Sequence, residues 1–261
     1  MHNEMAIRLS FFIGVFLLIA LWELLAPRRQ LVDSKARRWV ANLSLVAINA
    51  AAARFLLPLL PVSLAILLEG KGWGLLNVLS PPGWLKIVVA LVFLDLIIYL
   101  QHVLFHYQPL LWRLHRMHHT DLDIDVTTGN RFHPLEIIIS LLIKLAAVAA
   151  VGAPAIAVVI FEIILNAAAQ FNHGNIRIPL PLDRWLRLVV VTPDMHRVHH
   201  SVIVRETNSN FGFNIPLWDR LFGTYREQPR DGHLGMTIGL KEFRDPAELG
   251  LLRLLRQPFE R

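Results

Sequence analysis

The stretch "WLKIVVALVFLDLIIYLQHVLFH", residues 84–106, is almost uniformly apolar and ends in two histidines. A helix that crosses a bilayer needs about 20 mostly apolar residues, which this stretch provides. His102 and His106 are four residues apart, so on a helix they share one face about a turn apart. The stretch therefore predicts a membrane helix that presents two imidazoles, a common metal ligand, at one end.

The composition of the whole chain is that of a membrane protein. Of its 261 residues, 54% are hydrophobic and 18% are charged, whereas soluble domains carry about 25% charged residues. The absence of cysteine excludes disulfides, iron–sulfur clusters and thiolate metal sites. The net charge of +6 is expected to face the cytoplasm and anionic lipid, so no nucleic-acid partner is predicted.

Five apolar stretches predict five membrane helices. They cover residues 9–26, 39–60, 84–105, 134–151 and 154–171. The second is interrupted by Pro58 and Pro61, and the last two are joined by "VGAP" and form a hairpin. The first has no small-residue cleavage site and runs straight into "RRQLVDSKARR", which indicates a membrane helix and not a signal peptide.

Basic residues between the first two helices predict the orientation of the bundle. Short loops rich in Lys and Arg stay in the cytoplasm, and this loop region contains Arg28, Arg29, Lys35, Arg37 and Arg38. Following the chain from there places ten of the twelve histidines on the cytoplasmic side. The C-terminal "RQPFER" contains no dilysine-type or lumenal retention signal. We therefore expect a multi-pass protein of a bacterial cytoplasmic membrane, with its histidines on the cytoplasmic face.

Eight histidines fall in the three clusters "HVLFH", "HRMHH" and "HRVHH". They are His102, His106, His115, His118, His119, His196, His199 and His200. One helix face can direct two of these imidazoles to one metal while the adjacent one reaches a second metal, so the set predicts a dinuclear site. A lone pair of histidines is more often a surface accident, but a repeated H-x-x-H-H is not. Imidazole alone does not choose between Zn, Cu, Fe and Ni.

Missing motifs exclude other metal and hydrolase chemistry. The chain contains no H-E-x-x-H, which argues against one large class of zinc proteases. No Glu stands three residues before a His, as carboxylate di-iron bundles require. No G-x-S-x-G is present, so a nucleophile-elbow hydrolase is not indicated.

The order H-x3-H, H-x2-H-H, H-x2-H-H on a membrane protein resembles the fatty acid hydroxylase/sterol desaturase superfamily. "NRFHPLE" (130–136), "QFNHGNIRIP" (170–179) and "NFGFNIPLWDRLFGTY" (210–225) match it in kind, and the resemblance spans about residues 90–226. It implies an all-α transmembrane bundle whose cytoplasmic helical cap holds two iron ions in an all-histidine site. It also implies O2-dependent hydroxylation or desaturation of a lipid. Zinc is the alternative occupant in a purified form.

The resemblance also assigns ligands beyond the three clusters. The eight clustered histidines correspond to ligands, and His173 in "FNHGN" corresponds to a ninth. His133 matches an "HP" element and is either a ligand or a neighbour of the ligands. Some hydroxylases carry a further histidine at the position of Arg177, and that departure leaves one coordination position for water or for His133.

Polar residues near the histidines suggest supporting roles. Asp194 is either an acceptor for a ligating imidazole or a solvated acid, and the acids at 121, 123 and 125 are expected to be solvated. Glu162, Asn166 and Gln170 lie at four-residue intervals and either line a substrate path or satisfy neighbouring helices. Asp95 and Tyr99 are predicted to extend that path, and Lys144 is predicted to form an ion pair with Glu162.

Several functional alternatives stay open. The substrate is a fatty acyl lipid, a sterol, an aminolipid or, as in a carotenoid hydroxylase, a carotenoid. A metal-binding or transport protein is the alternative from another class, although transporters place ligands near the bilayer midplane and not at helix ends. An external donor, a ferredoxin or a cytochrome b5-like protein, must supply electrons. The predicted domains are 1–83 (N-terminal helices), 84–226 (catalytic) and 227–261 (a cytoplasmic tail).

Overall fold

A computed structural model describes residues 4–57 and 60–260 as an all-helical protein. Its α-helices are α1 (Glu4–Leu25), α2 (Lys35–Leu56), α3 (Pro61–Gly70), α4 (Leu75–Leu79), α5 (Gly83–Tyr107), α6 (Pro109–His119), α7 (Pro134–Val151), α8 (Ala155–Asn172), α9 (Leu180–Leu186), α10 (Pro193–His199), α11 (Val204–Thr207), α12 (Leu217–Leu221), α13 (Gly232–Gly235) and α14 (Leu251–Arg256). Within the described ranges no segment forms a β-strand. The predicted all-α class is confirmed.

Five stretches of the described chain are long and apolar enough to cross a membrane: α1, a stretch that begins with α2, α5, α7 and α8. The helices α1, α2, α5, α7 and α8 have 18 to 25 residues, which agrees with the five predicted spans and with a multi-pass membrane protein. Pro58 lies outside the described residues, and Pro61 begins α3, where its missing N–H is tolerated. The short helices α3 and α4 follow the predicted second span, and the sequence analysis did not predict them.

Small side chains bring the central membrane helices together. Ala90 of α5, Ala147 of α7 and Ala157 of α8 are buried in one cluster. Lipid is as apolar as a leucine side chain, so helices in a bilayer associate through close packing of small residues. At the predicted hairpin turn, Gly152 ends α7 with a φ of 69°, and the Cα of Gly152 would lie 2.3 Å from a Cβ on Gly74. Both glycines are therefore needed where α4 meets the hairpin.

The basic loop between α1 and α2 and the histidines lie at the same end of the bundle. The N–H of Arg28 donates to the carbonyl of Asn175 at 2.9 Å, beside the end of α8. Glu23, near the end of α1, accepts from the N–H groups of Val126 and Asn175 at 2.7 and 2.8 Å. This arrangement agrees with the common side deduced for the loop and the histidines. That this side is cytoplasmic stays a prediction.

The expectation that the acids at 121–125 are solvated is wrong. Asp121 and Asp125 are buried and accept from the guanidinium of Arg38 at 2.7 and 2.6 Å. Asp123 accepts from the N–H groups of Val32 and Asp33. A buried arginine and backbone donors from the first loop replace the water that these carboxylates would otherwise bind.

The C-terminal segment packs against the helix that bears the second histidine cluster. Arg113 and Arg116 of α6 donate to the carbonyls of Pro258 and Gln257 at 2.7 and 2.5 Å. Thr120, directly after α6, donates to the side chain of Gln257 at 3.0 Å. The end of the chain therefore supports α6, which the description of residues 227–261 as a tail did not anticipate.

Candidate metal centre

Four elements bring the histidines together. α5 ends at Tyr107 and α6 begins at Pro109, so a sharp turn at Gln108 folds the second cluster back beside the first. α10 carries the third cluster and begins in "TPDM", where Thr192 accepts from the N–H of Met195 and Pro193 occupies the first turn. His173 lies directly after the last residue of α8.

Nine imidazoles form two groups, each of which has the geometry to hold a metal ion. The first group is His102, His106, His115, His119 and His199, and the second is His118, His173, His196 and His200. Within each group, one ring nitrogen from every residue lies within 4.8 Å of the others. Sequence neighbours separate into different groups because adjacent side chains on a helix point about 100° apart. This division is what the H-x-x-H-H spacing requires of a dinuclear site.

Outer hydrogen bonds orient six of the nine rings. Four rings donate from Nδ1 to backbone carbonyls: His102 to Phe211, His118 to Arg131, His173 to Ala169 and His199 to Ser209. Two donate to side chains: His106 to Asn208 and His115 to Glu136. The donor–acceptor distances run from 2.6 Å for His115 to 3.3 Å for His118. Because each outer nitrogen carries the proton, the Nε2 lone pair of each ring remains available for a metal.

The segment that orients the first group depends on Asn210, which has a φ of 52°. Asparagine tolerates this left-handed conformation better than most residues. Its side chain donates to the carbonyls of Met195 and Arg226, both at 2.8 Å. The chain reverses direction at Asn210, and the carbonyls of its two neighbours, Ser209 and Phe211, accept from His199 and His102. Asp219 supports the same turn by accepting from the N–H of Phe211 at 2.8 Å.

The inner nitrogens fit a metal because protein groups do not satisfy them. The Nε2 atoms of His106 and His199 are buried and have no hydrogen-bond partner within the described chain. The Nε2 atoms of His102 and His115 lie 3.2 Å apart. Both rings carry their proton on the outer nitrogen, so neither Nε2 can donate to the other. Facing lone pairs repel each other unless a cation binds both, and buried polar atoms are otherwise almost always paired. An all-imidazole donor set suits iron, zinc or copper.

Burial also keeps these rings neutral. It lowers the pKa well below the ordinary value of 6.5, and the neighbouring histidines lower it further, for His118, His119, His196, His199 and His200. Burial lowers the pKa of His173 to about 4. Neutral imidazole is the form that binds a metal, so the site needs no deprotonation near pH 7.

A cavity of about 280 Å³ lies between the membrane helices and the first histidine group. Its walls come mainly from α1, α2, α5, α7 and α8, and His102 and His115 lie at one end. Lys144 and Asn166 line it near the middle of α7 and α8. Lys144 is ten residues from the start of α7, which corresponds to about 15 Å along a helix. The cavity therefore runs from the histidines toward the bilayer interior.

Comparison with known proteins agrees with this geometry. A sequence model of the family "Fatty acid hydroxylase" matches residues 87–224, which include all nine histidines. The chain belongs to this family. It is 30% identical to ornithine lipid hydroxylase OlsE of Rhizobium tropici over 185 residues, 69% of this chain and 53% of that protein. It is 27% identical to alkylglycerol monooxygenase of Homo sapiens over 166 residues, 63% of this chain and 35% of that protein.

The aligned region thus spans about half the length of the rhizobial relative and about a third of the human one. No solved structure matches the chain. The family match confirms the resemblance found in the histidine clusters. Both of these relatives are named as enzymes that oxidise lipids, and neither is named as a metal transporter.

His133 lies outside both histidine groups. Its Nδ1 accepts from the N–H of Leu135, so it caps α7. Its Nε2 contacts the carbonyl of Leu255 at 3.3 Å. The ring therefore joins α7 to the C-terminal segment and leaves no nitrogen directed at the other nine.

Asp194 is neither an acceptor for a clustered histidine nor solvated. It is buried and bound by Arg28 at 2.9 Å and by Arg197. Burial alone would raise the pKa of Asp194, but the two guanidinium groups outweigh it and lower the pKa to about 2. Asp194 therefore anchors α10 to the loop between α1 and α2.

Asp95 and Tyr99 do not extend the cavity. Asp95 accepts from Asn214 and from the indole of Trp218, both at 2.7 Å. The hydroxyl of Tyr99 bonds to that of Thr224 at 2.9 Å. These contacts hold the "WDRLFGTY" segment, residues 218–225, against α5.

The polar stripe on α8 divides between the two interpretations. Asn166 lines the cavity, whereas Gln170 donates to the carbonyl of Phe12 at 3.3 Å and ties α8 to α1. The predicted pair of Lys144 and Glu162 is confirmed, with a distance of 3.1 Å. Glu162 also binds Arg8 of α1 at 2.9 Å, a partner that the sequence did not indicate.

Sequence reasoning missed two side chains that bind the histidines. Glu136 lies within "NRFHPLE", in the first turn of α7, where acidic residues are common, so its type alone gave no signal of this role. Asn208 lies in an ordinary polar loop and gave no signal. Both are acceptors for rings of the first group.

Proposed function

We propose that the protein is an O2-dependent di-iron hydroxylase of a membrane lipid. The observation that carries the proposal is the set of nine buried imidazoles with unsatisfied inner nitrogens at one end of a cavity walled by membrane helices. The lipid hydroxylase and monooxygenase names of the relatives support hydroxylation over desaturation. The two histidine groups would hold one iron ion each.

Two irons bound there would reduce O2 with two electrons and two protons, placing one oxygen atom in a C–H bond and releasing the other as water. The chain's own residues prepare this chemistry. The outer acceptors fix the ring orientations, and Glu136 holds His115 at the end of the cavity. The apolar walls, among them Phe105, Leu141 and Phe213, exclude water from the reacting carbon.

The substrate would enter from the bilayer between the α1–α8 pair and the α2–α7 pair, whose side chains line the cavity. The electrons would come from a ferredoxin or a cytochrome b5-like protein, since the chain has no cysteine for an iron–sulfur cluster. The net charge of +6 suits an acidic donor. We place the protein in a bacterial cytoplasmic membrane with its histidine groups on the cytoplasmic face.

Lipid mass spectrometry of cells grown under isotopically labelled O2 tests the proposal. We expect wild-type cells to contain a lipid with one labelled oxygen atom that is absent from cells expressing His199→Ala. His233→Ala is the matched control, since His233 is a buried histidine outside both groups, and it should retain the product.

Metal analysis completes the experiment. We expect two irons per wild-type chain and fewer in His199→Ala. Iron-loaded wild-type protein that yields no labelled lipid, or a chain that binds a single metal, would contradict the proposal. Zinc at full occupancy together with labelled lipid would contradict the assignment of iron.

A further inference from the structure

Two short helices, α9 and α12, expose apolar side chains although neither is long enough to cross a membrane. α9 has seven residues and α12 has five. Single exposed apolar residues are normal on a protein surface, but a contiguous exposed patch usually marks a binding surface. In and directly after these helices, the apolar side chains that are at least half exposed, here called the apolar patch, are Leu180, Leu182, Trp185, Leu188, Val189, Leu217, Leu221 and Phe222.

α9 lies beside the end of the membrane helix α1. The N–H of Arg177 donates to the carbonyl of Ala26, the residue directly after α1, at 2.9 Å. α9 begins three residues later, a separation of at most about 11 Å along an extended chain. Leu186 of α9 packs against the cluster that contains Ile19 of α1. Leu25, the last residue of α1, is exposed, so the exposed side of α9 continues the apolar surface of a membrane helix.

α12 packs against the middle of the membrane helix α5. The indole N–H of Trp218 donates to Asp95 at 2.7 Å, and Phe222 stacks on Tyr99 with ring centroids 5.4 Å apart. Asp95 and Tyr99 lie twelve and eight residues before the end of α5 at Tyr107, which corresponds to about 18 and 12 Å along a helix. α12 therefore lies beside the part of α5 that crosses the bilayer, and not beyond its end.

The charges of the two helices follow one pattern. Asp183 of α9 and Asp219 of α12, the only acids of these helices, are both buried. Arg184 and Arg220 are exposed, and Arg220 also donates to the carbonyl of Arg187, directly after α9, at 2.9 Å. The helices are thus in contact, and their exposed surface combines apolar and basic side chains without acids. Such a surface matches the boundary between acyl chains and anionic head groups.

We propose that α9 and α12 are embedded in the half of the bilayer on the histidine side, with the apolar patch among the acyl chains and Arg184 and Arg220 at the head groups. Facing water instead, the patch would leave eight apolar side chains in contact with solvent. α10, which carries the third histidine cluster, lies between these two helices in the chain. The embedded helices therefore hold that cluster at the membrane surface.

Site-directed spin labelling tests this placement, because the chain has no cysteine and each variant then carries a single label. Leu182→Cys, Leu188→Cys and Leu221→Cys place a nitroxide on the apolar patch. The purified full chain is reconstituted into vesicles of phosphatidylglycerol and phosphatidylcholine. The measurement is the collision frequency of each nitroxide with O2, which concentrates in lipid, and with a nickel chelate, which stays in water.

Two other exposed leucines provide the references. Leu18→Cys, at a position 61% exposed on α1, is the reference for lipid. Leu234→Cys, at a position 69% exposed on α13, is the reference for water, since it follows the exposed pair of Arg230 and Asp231 closely in the chain. The references thus differ in surroundings and not in residue type.

We expect the three patch labels to resemble the label at 18 and to collide more often with O2 than with the nickel chelate. The label at 234 should show the reverse. Patch labels that resemble the one at 234 would overturn the proposal, because the patch would then face water. Labels shielded from both reagents would also overturn it, since a second copy of the chain would then cover the patch.

The head-group contact is tested by the preference of the protein for spin-labelled phosphatidylglycerol over spin-labelled phosphatidylcholine. We expect Arg184→Gln to reduce this preference, because it removes a basic side chain near the anionic head groups. Arg230→Gln makes the same change at an exposed arginine that is paired with Asp231 and should leave the preference unchanged. An equal preference in wild type and Arg184→Gln would overturn the assignment of Arg184 to the head groups.

Discussion

Two buried polar clusters lie side by side in this protein and differ in how their atoms are satisfied. The cluster of Arg38, Asp121 and Asp125 pairs its charges internally, at distances of 2.6 to 2.9 Å. In the histidine groups, whose member His119 is two residues from Asp121, several ring nitrogens have no hydrogen-bond partner among the described residues. Burial is the same in both clusters, since each of these four side chains is almost fully enclosed.

The difference teaches that unsatisfied atoms, and not burial or polarity, mark the functional site. In the Arg38 cluster the guanidinium outweighs the effect of burial, and together with Arg131 it lowers the pKa of Asp121 to about 2, so the carboxylate stays ionised and paired. In the histidine groups burial lowers the pKa and leaves neutral rings whose lone pairs point at one another. The charges of the Arg38 cluster are paired within the protein, whereas the histidine groups have free ring nitrogens that could hold a metal ion.

Replacing Arg38 should have a larger effect on folding than any other single substitution in these clusters. Arg38→Ala leaves Asp121 and Asp125 buried without a counter-charge, and breaking a buried ion pair in this way costs about 3–5 kcal/mol. Against the small stability margin of most proteins, this predicts little folded protein in the membrane. The measurement is the yield and the thermal unfolding midpoint of the purified protein in detergent.

Arg230→Ala is the control for this prediction. Arg230 pairs with Asp231 at 3.0 Å, and the two side chains are 71% and 45% exposed. Water can replace an exposed partner, so this variant should fold as the wild type does. Equal stability of the two variants would mean that the Arg38 cluster does not stabilise the fold.

The sequence predicted those features that local patterns encode. The five spans, the hairpin and the eight clustered histidines follow from runs of apolar residues and from spacings of three or four along a helix, whereas His173 was assigned by the resemblance to the family. The Lys144–Glu162 pair followed from equal depth in the hairpin. Each of these inferences uses residues that are neighbours in the chain or symmetric about a turn.

Contacts between distant parts of the chain were not predictable. Arg38 meets Asp121 across 83 residues, and Arg28 meets Asp194 across 166. A short acidic run has the same sequence whether water or a distant arginine satisfies it, so 121–125 was misassigned. The packing of the C-terminal segment on α6 depends on backbone carbonyls, which have no signature in the sequence.

The outer acceptors of the histidines allow a test of intermediate size. Asn208→Leu removes the hydrogen-bond acceptor of His106 without replacing any of the proposed metal ligands. Loss of such a supporting hydrogen bond typically weakens metal affinity by 10–100-fold, roughly 1.4–2.8 kcal/mol. We expect this loss in a chelator competition titration of the iron-loaded protein, together with an unchanged thermal midpoint of the apoprotein.

Asn77→Leu provides the comparison for that titration. Asn77 donates to the carbonyl of Trp73 near α4, in the region that packs on the hairpin turn and away from the histidines. The variant should bind iron as the wild type does. If Asn208→Leu instead lowered apoprotein stability and left iron affinity unchanged, the 208–211 segment would be a structural support and not part of the metal centre.

The smallest expected effect concerns the charges within the membrane, which form a third cluster satisfied by the protein itself. Glu162 binds both Lys144 and Arg8, so Lys144→Met removes one contact while Glu162→Gln removes the charge that serves two cations. Hydrogen-bonded contacts between membrane helices contribute about 0.6–1.7 kcal/mol each. We therefore expect Glu162→Gln to be less stable than Lys144→Met by about 1 kcal/mol in unfolding by denaturant in mixed micelles. Equal losses of stability in the two variants would show that Arg8 does not stabilise Glu162 and that Lys144 is its only effective partner.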